Sequence, residues 1–85
     1  MAYKITIKAS AQKELEKIQK PFRIKIISAI SELADNPRPP GCKKLVNFDN
    51  HYRIRVGEYR CIYKIIDNQL IVDVIKVAHR KDVYR

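Results

Sequence analysis

Gly57 and Glu58 constrain this chain more than any other pair of residues. They separate two stretches that alternate between apolar and polar side chains, His51–Val56 and Tyr59–Ile66. A two-residue loop with glycine first is a favoured hairpin connection, and it leaves no slack in the register. The spacing predicts Val56 opposite Tyr59, Arg55 opposite Arg60, Ile54 opposite Cys61 and Arg53 opposite Ile62. Alternation along a strand then puts Arg53 and Arg55 on one face, with Arg60 on that same face. Opposed Cβ atoms in such a pair lie about 4.5–5.5 Å apart, and like charges there destabilise the sheet. A ligand that brings negative charge explains the pairing. Arginine rather than lysine points to planar, bidentate recognition of phosphate or carboxylate. The competing explanation is a solvated outer face on which long cations splay into water.

The rest of the chain says what this hairpin belongs to. Residues 3–8 alternate, with Tyr3, Ile5 and Ile7 on one side, and predict a half-buried strand. Ser10 is placed to cap a helix over 11–20 whose apolar stripe is Ala11, Leu15 and Ile18. Pro21 suits the first turn of a second helix carrying Phe22, Ile26, Ile30, Leu33 and Ala34 at spacings of three or four. That helix is expected to fail before Pro37. The loop from Asn36 to Gly41 turns the chain toward strands at Lys44–Val46, His51–Val56, Tyr59–Ile66 and Leu70–Ala78. Asp67-Asn68 reads as a second two-residue loop, which would set Arg60 opposite Ile75. Strand, two helices and an antiparallel meander give an α+β fold, with the helices on one face of the sheet.

Eighty-five residues make one domain, 1–85, with a thin core and little room for a large pocket. With 46% hydrophobic residues the chain is too apolar for a disordered tail, and two cysteines are too few for a disulfide scaffold. Eighteen Lys+Arg against nine Asp+Glu give a net charge of +9, which favours a polyanionic or acidic partner. There is no apolar leader and no run long enough to span a membrane. The expected location is the cytoplasm, with Cys42 and Cys61 as reduced thiols. Cys42, His51, Cys61 and His79 lack the close pair spacing of a zinc site, so no metal or other cofactor is expected. The chain closes on His79, Arg80, Lys81, Tyr84 and Arg85, where Arg80 falls near the hairpin tip. A tyrosine in a basic tail can stack on a base or dock onto the core.

Together the stretches Tyr52–Arg60 and His79–Arg85, with Ile62-Tyr63, the opening strand, both helices and the Asn36-Pro37-Arg38 loop, resemble the RelE branch of the RelE/ParE toxin superfamily. The resemblance spans nearly the whole chain. It implies a toxin encoded beside an acidic, RelB-like antitoxin, acting in the ribosomal A site of the 30S subunit as an mRNA endonuclease. The 2′-hydroxyl attacks the adjacent phosphate, leaving a 2′,3′-cyclic phosphate and a free 5′-hydroxyl, without metal. By position, Arg53 and Arg55 match basic strand residues at the scissile region, and Arg60 matches an arginine that stabilises phosphate charge. Arg80 matches an arginine implicated in phosphate contact or leaving-group protonation, and Tyr84 a tyrosine that orients or stacks on the base. Lys43, Lys44, Lys81 and Arg85 are expected to contact RNA. The resemblance also implies a toxin monomer within a toxin–antitoxin hetero-oligomer, the antitoxin docking a helix and covering or distorting the basic face.

Some RelE toxins have lysine where this chain has Arg53 and Arg55. Arginine does not give up its proton, so the general base is open between His51, His79 and no strong base at all. Two other functions fit the strand pattern. One is a ParE-like inhibitor of DNA gyrase without nuclease activity. The other is an RNA-binding module whose arginines only neutralise phosphates.

Overall fold

The computed structural model describes residues 2–79. Strands β1 (Lys4–Ile7), β2 (Lys43–Lys44), β3 (His51–Val56), β4 (Tyr59–Ile66) and β5 (Ile71–His79) form one sheet in the order β1-β5-β4-β3-β2. Helices α1 (Ala9–Glu16) and α2 (Phe22–Glu32) lie between β1 and β2 in the chain. The sheet is mixed: β1 runs parallel to β5, and the other pairs are antiparallel.

The helices supply Ala11, Leu15, Ile18, Ile26, Ile30 and Leu33 to one core, and the sheet supplies Ile54, Cys61, Tyr63, Ile65, Val72, Val74 and Val77. Each fully buried Ile or Leu contributes about 1.5–3 kcal/mol to a core this thin. All these residues come from the same side of the sheet, so the opposite side carries His51, Arg53, Arg55, Arg60, Ile62 and Lys64. The fold is α+β with the helices on one face, as the element order predicts.

The helix ends differ from the sequence expectation. The first helix begins at Ala9, with Lys8 rather than Ser10 in the extended N-cap position. The chain must turn at once after β1, so Ser10 falls inside the first turn and caps nothing. It ends at Glu16, four residues before the expected Lys20, and the Ile18 N–H donates to the Leu15 carbonyl at 3.1 Å in a tightened last turn. The second helix starts where Pro21 predicts and closes in i→i−3 bonds from Leu33, Ala34 and Asp35.

The Asn36–Gly41 loop is held by the central strand. Tyr63 is fully buried, and its hydroxyl donates to the Pro37 carbonyl at 2.7 Å. Burial raises its pKa above the ordinary tyrosine value. Next in the loop, Arg38 forms a fork on Asp67, at 2.8 and 3.4 Å, and its guanidinium carbon sits 5.1 Å over the Tyr52 ring. The Tyr3 hydroxyl donates to the same carboxylate at 2.7 Å. This clamp ties β1, the loop and the β4–β5 turn together at the end of the sheet away from Gly57.

Candidate nucleic-acid interface

The first hairpin has the predicted register. Val56 pairs with Tyr59, Arg55 with Arg60, Ile54 with Cys61 and Arg53 with Ile62. Gly57 takes a left-handed φ of 60°, which glycine adopts without a Cβ clash. The three arginines therefore share the open face. Arg55 is exposed, Arg53 is half-buried, and Arg60 is only 7% exposed. Arginine keeps its charge wherever it sits. A sheltered guanidinium attracts an anion more strongly than one in bulk water, because less solvent screens it.

The second hairpin differs from the prediction. Its loop is not Asp67-Asn68 but a 3-10 turn, Asp67–Gln69, followed by Leu70 in the left-handed region at φ 55°. The strands restart at Ile66 opposite Ile71, and a bulge interrupts the pairing between Ile62 and Tyr63. The longer loop and the bulge together carry Arg60 from Ile75 to Ala78. They also move the last strand to Ile71–His79 in place of Leu70–Ala78.

This register puts the two histidines on different faces. His79 pairs with Tyr59, and their rings meet edge-on at 5.6 Å. Tyr59 packs toward Phe22 of α2, so His79 lies on the helix-bearing face, away from the arginines. His51 lies on the arginine face, opposite Lys64. Its Nδ1 is 2.7 Å from the Asp49 carbonyl oxygen. With Nδ1–H donating there, Nε2 carries the lone pair, the tautomer able to accept a proton. His51 is four residues from Arg55, about 13 Å along the strand, with Arg53 midway.

The lysines also divide. The expected strand at Lys44–Val46 is only Lys43–Lys44, because the chain leaves the sheet at Leu45. Lys43 pairs with Arg53 and joins the basic face, whereas Lys44 pairs with Tyr52 and belongs to the other. The sequence reading missed two further cations. Lys64 follows Arg60 at the same i, i+4 alternation and was there to be counted. Lys76 reaches the Arg53–Ile62 row only through the bulge. Among the described residues two acids temper the face: Asp73 lies opposite Lys64 and accepts the Thr6 hydroxyl at 2.9 Å, and the Glu14 carboxylate lies 3.4 Å from the Lys76 ammonium. Arg80, Lys81, Tyr84 and Arg85 lie outside the described residues.

Among the described residues no three His, Cys, Asp or Glu side chains gather to hold a metal ion, and no helix is long and apolar enough to cross a membrane. What the face offers is a row of fixed cations, one of them sheltered, beside a histidine.

Known proteins share this fold. A family model described as the ParE toxin of type II toxin–antitoxin systems, parDE, matches residues 5–84. A RelE-like protein of Escherichia coli is 33% identical over 88 residues, covering 99% of this chain and 92% of its own. The mRNA interferase toxin RelE of Escherichia coli is 30% identical over 83 residues, covering 95% of this chain and 86% of its own. The intact Escherichia coli RelBE toxin–antitoxin complex superposes with a TM-score of 0.82 at 29% identity, covering 92% of this chain and 96% of that one. The chain belongs to the RelE branch of the RelE/ParE superfamily and is a RelE-like toxin of a toxin–antitoxin system.

Proposed function

We propose that this toxin is a ribosome-dependent endoribonuclease that cuts mRNA in the A site of the 30S subunit and so stops translation. The observation that carries the reading is the pairing of Arg55 with a sheltered Arg60, with Arg53 on the same face. A relative named for mRNA interferase activity supports it. In the reaction a 2′-hydroxyl attacks the adjacent phosphorus. The bond to the 5′-oxygen breaks, and that oxygen leaves with a proton. The products are a 2′,3′-cyclic phosphate and a 5′-hydroxyl.

In this reading Arg60 meets the charge that grows on the phosphate, and Arg53 and Arg55 hold the strand around it. Such fixed, preorganised charges are the part of catalysis that needs no metal. Arg80 serves the phosphate or the leaving oxygen, and Tyr84 orients the base. His51 Nε2 is the candidate base; a site that works by positioning and charge alone is the other course. His79, on the opposite face, takes no part. Lys43, Lys81 and Arg85 contact RNA; Lys44, on the opposite face, does not. The toxin acts in the cytoplasm and is held as a monomer in a hetero-oligomer with an acidic, RelB-like antitoxin. The solved relatives in complex with antitoxin support that partner.

Primer extension on programmed ribosomes tests the reading. A-site cuts are expected, and Arg60→Ala lowers their rate by about 10²–10³-fold. The second reading, inhibition of DNA gyrase without nuclease activity, is favoured by the family model's own description. Intact mRNA with blocked supercoiling selects it. Intact mRNA with salt-sensitive RNA binding alone selects a non-catalytic module.

A further inference from the structure

The basic face also contains an apolar cup that the core does not use and that shares only His51 with the proposed cleavage chemistry. Leu45, Phe48, His51, Ile62, Ile75 and Lys76 line a hollow of about 200 Å³. Drug-sized pockets begin at roughly 300 Å³, so this one has room for a single planar ring system. The loop after β2 builds its rim: the Leu45 N–H donates to the His51 carbonyl at 2.9 Å, which folds the loop back over the sheet. Phe48 and His51 hold their rings 5.5 Å apart, tilted by 46°. Phe48 nevertheless stays 58% exposed. Ile75, the extra residue at the bulge, completes the floor beside Ile62.

We infer that this cup binds one unstacked nucleobase of the RNA strand carried by the arginine face. The inference rests on the nucleic-acid reading above and names a new contact within it. Charge complementarity selects this occupant. Arg53 pairs with the floor residue Ile62, and Lys64 pairs with the rim residue His51. Lys76 stands in the wall, with its ammonium 3.4 Å from Glu14. An apolar slot flanked by Arg53 and Lys64 fits a flat, neutral base on a charged backbone. Aromatic side chains provide that platform for any base. Ile62 lies two residues, about 7 Å, from Arg60 along β4. The base that enters therefore belongs to a nucleotide adjoining the phosphate held at Arg55 and Arg60.

The test uses the full chain with a single-stranded RNA carrying one 2-aminopurine, free and on programmed ribosomes. Fluorescence at one label position is expected to fall on binding. Phe48→Ala abolishes that fall and weakens binding about tenfold, in line with the loss of one stacked base. Phe48→Trp restores both, and Phe48→Leu restores neither. Equal quenching with wild-type and Phe48→Ala overturns the inference, as does failure to bind either RNA. So does a Phe48→Ala variant that binds RNA normally but loses affinity for the antitoxin, because the cup is then a protein-docking site. Quenching without any A-site cleavage defeats the nuclease reading and leaves the base site standing.

Discussion

Cys61 and Cys42 are the same residue type in very different chemical settings. Cys61 is 1% exposed in the central strand, and burial pushes its thiol up to about 12, so almost no thiolate forms near neutrality. Cys42 lies half-buried in the loop before β2. At pH 8 a thiol-specific reagent is expected to titrate one cysteine in the folded protein and both in denaturant. Two fast-reacting thiols in the native state would show that the sheet opens on the labelling timescale. Alternation alone reads Cys61 as core, since it shares its face with Ile54. The same logic places His51 with the arginines. It fails for His79, whose face depends on a bulge that no residue type announces.

At the level of the hairpins, legibility follows slack. Gly57-Glu58 is so short that the register of β3 on β4 can be counted from the sequence, and every pair in it matches. The β4–β5 turn is longer, places Leu70 at a positive φ that its side chain disfavours, and is followed by a bulge. Its register had to be seen. The Arg55–Arg60 pair has an energetic consequence of its own. Opposed like charges cost the hairpin stability, and opposite charges there contribute roughly 0.2–1 kcal/mol. Arg55→Glu is therefore expected to raise the urea midpoint by a fraction of a molar while sharply reducing RNA binding and cleavage. Function, not folding, would then be what the pairing serves. Loss of stability in this variant would indicate that Arg55 already has a structural anion partner.

Across the whole molecule, β1 joins β5 through contacts such as Thr6 with Asp73, separated by 67 residues, and no local pattern predicts them. The clamp around Asp67 secures this closure. The hydrogen bonds from Arg38 and then Tyr3 hold the Asp67 carboxyl below its ordinary value of 3.8. The folded state therefore prefers the ionised form. Its stabilisation is complete above the unfolded pKa and is lost as pH falls through the lower folded one. Asp67→Asn is expected to melt below the wild type at pH 6, with the two curves converging in acid. A constant gap down to pH 2 would rule out this linkage. None of this clamp was legible, because its members come from three separate segments.

Glu14 has a consequence beyond its pairing with Lys76. The parallel partner of β5 stops at Ile7, opposite Val74, so among the described residues the upper half of β5 has no neighbouring strand on that side. There the Glu14 carboxylate accepts the Val77 N–H at 3.0 Å. A helix side chain thus occupies a backbone donor that another molecule's strand would otherwise seek. Exposed sheet edges of this kind template aggregation, and a charge placed at the edge is a common guard against it. Glu14→Ala is expected to leave the monomer folded but to raise light scattering on storage at high concentration. Scattering equal to wild type would mean that the edge is protected by other means. A toxin released from its antitoxin would depend on such a guard to persist as single molecules.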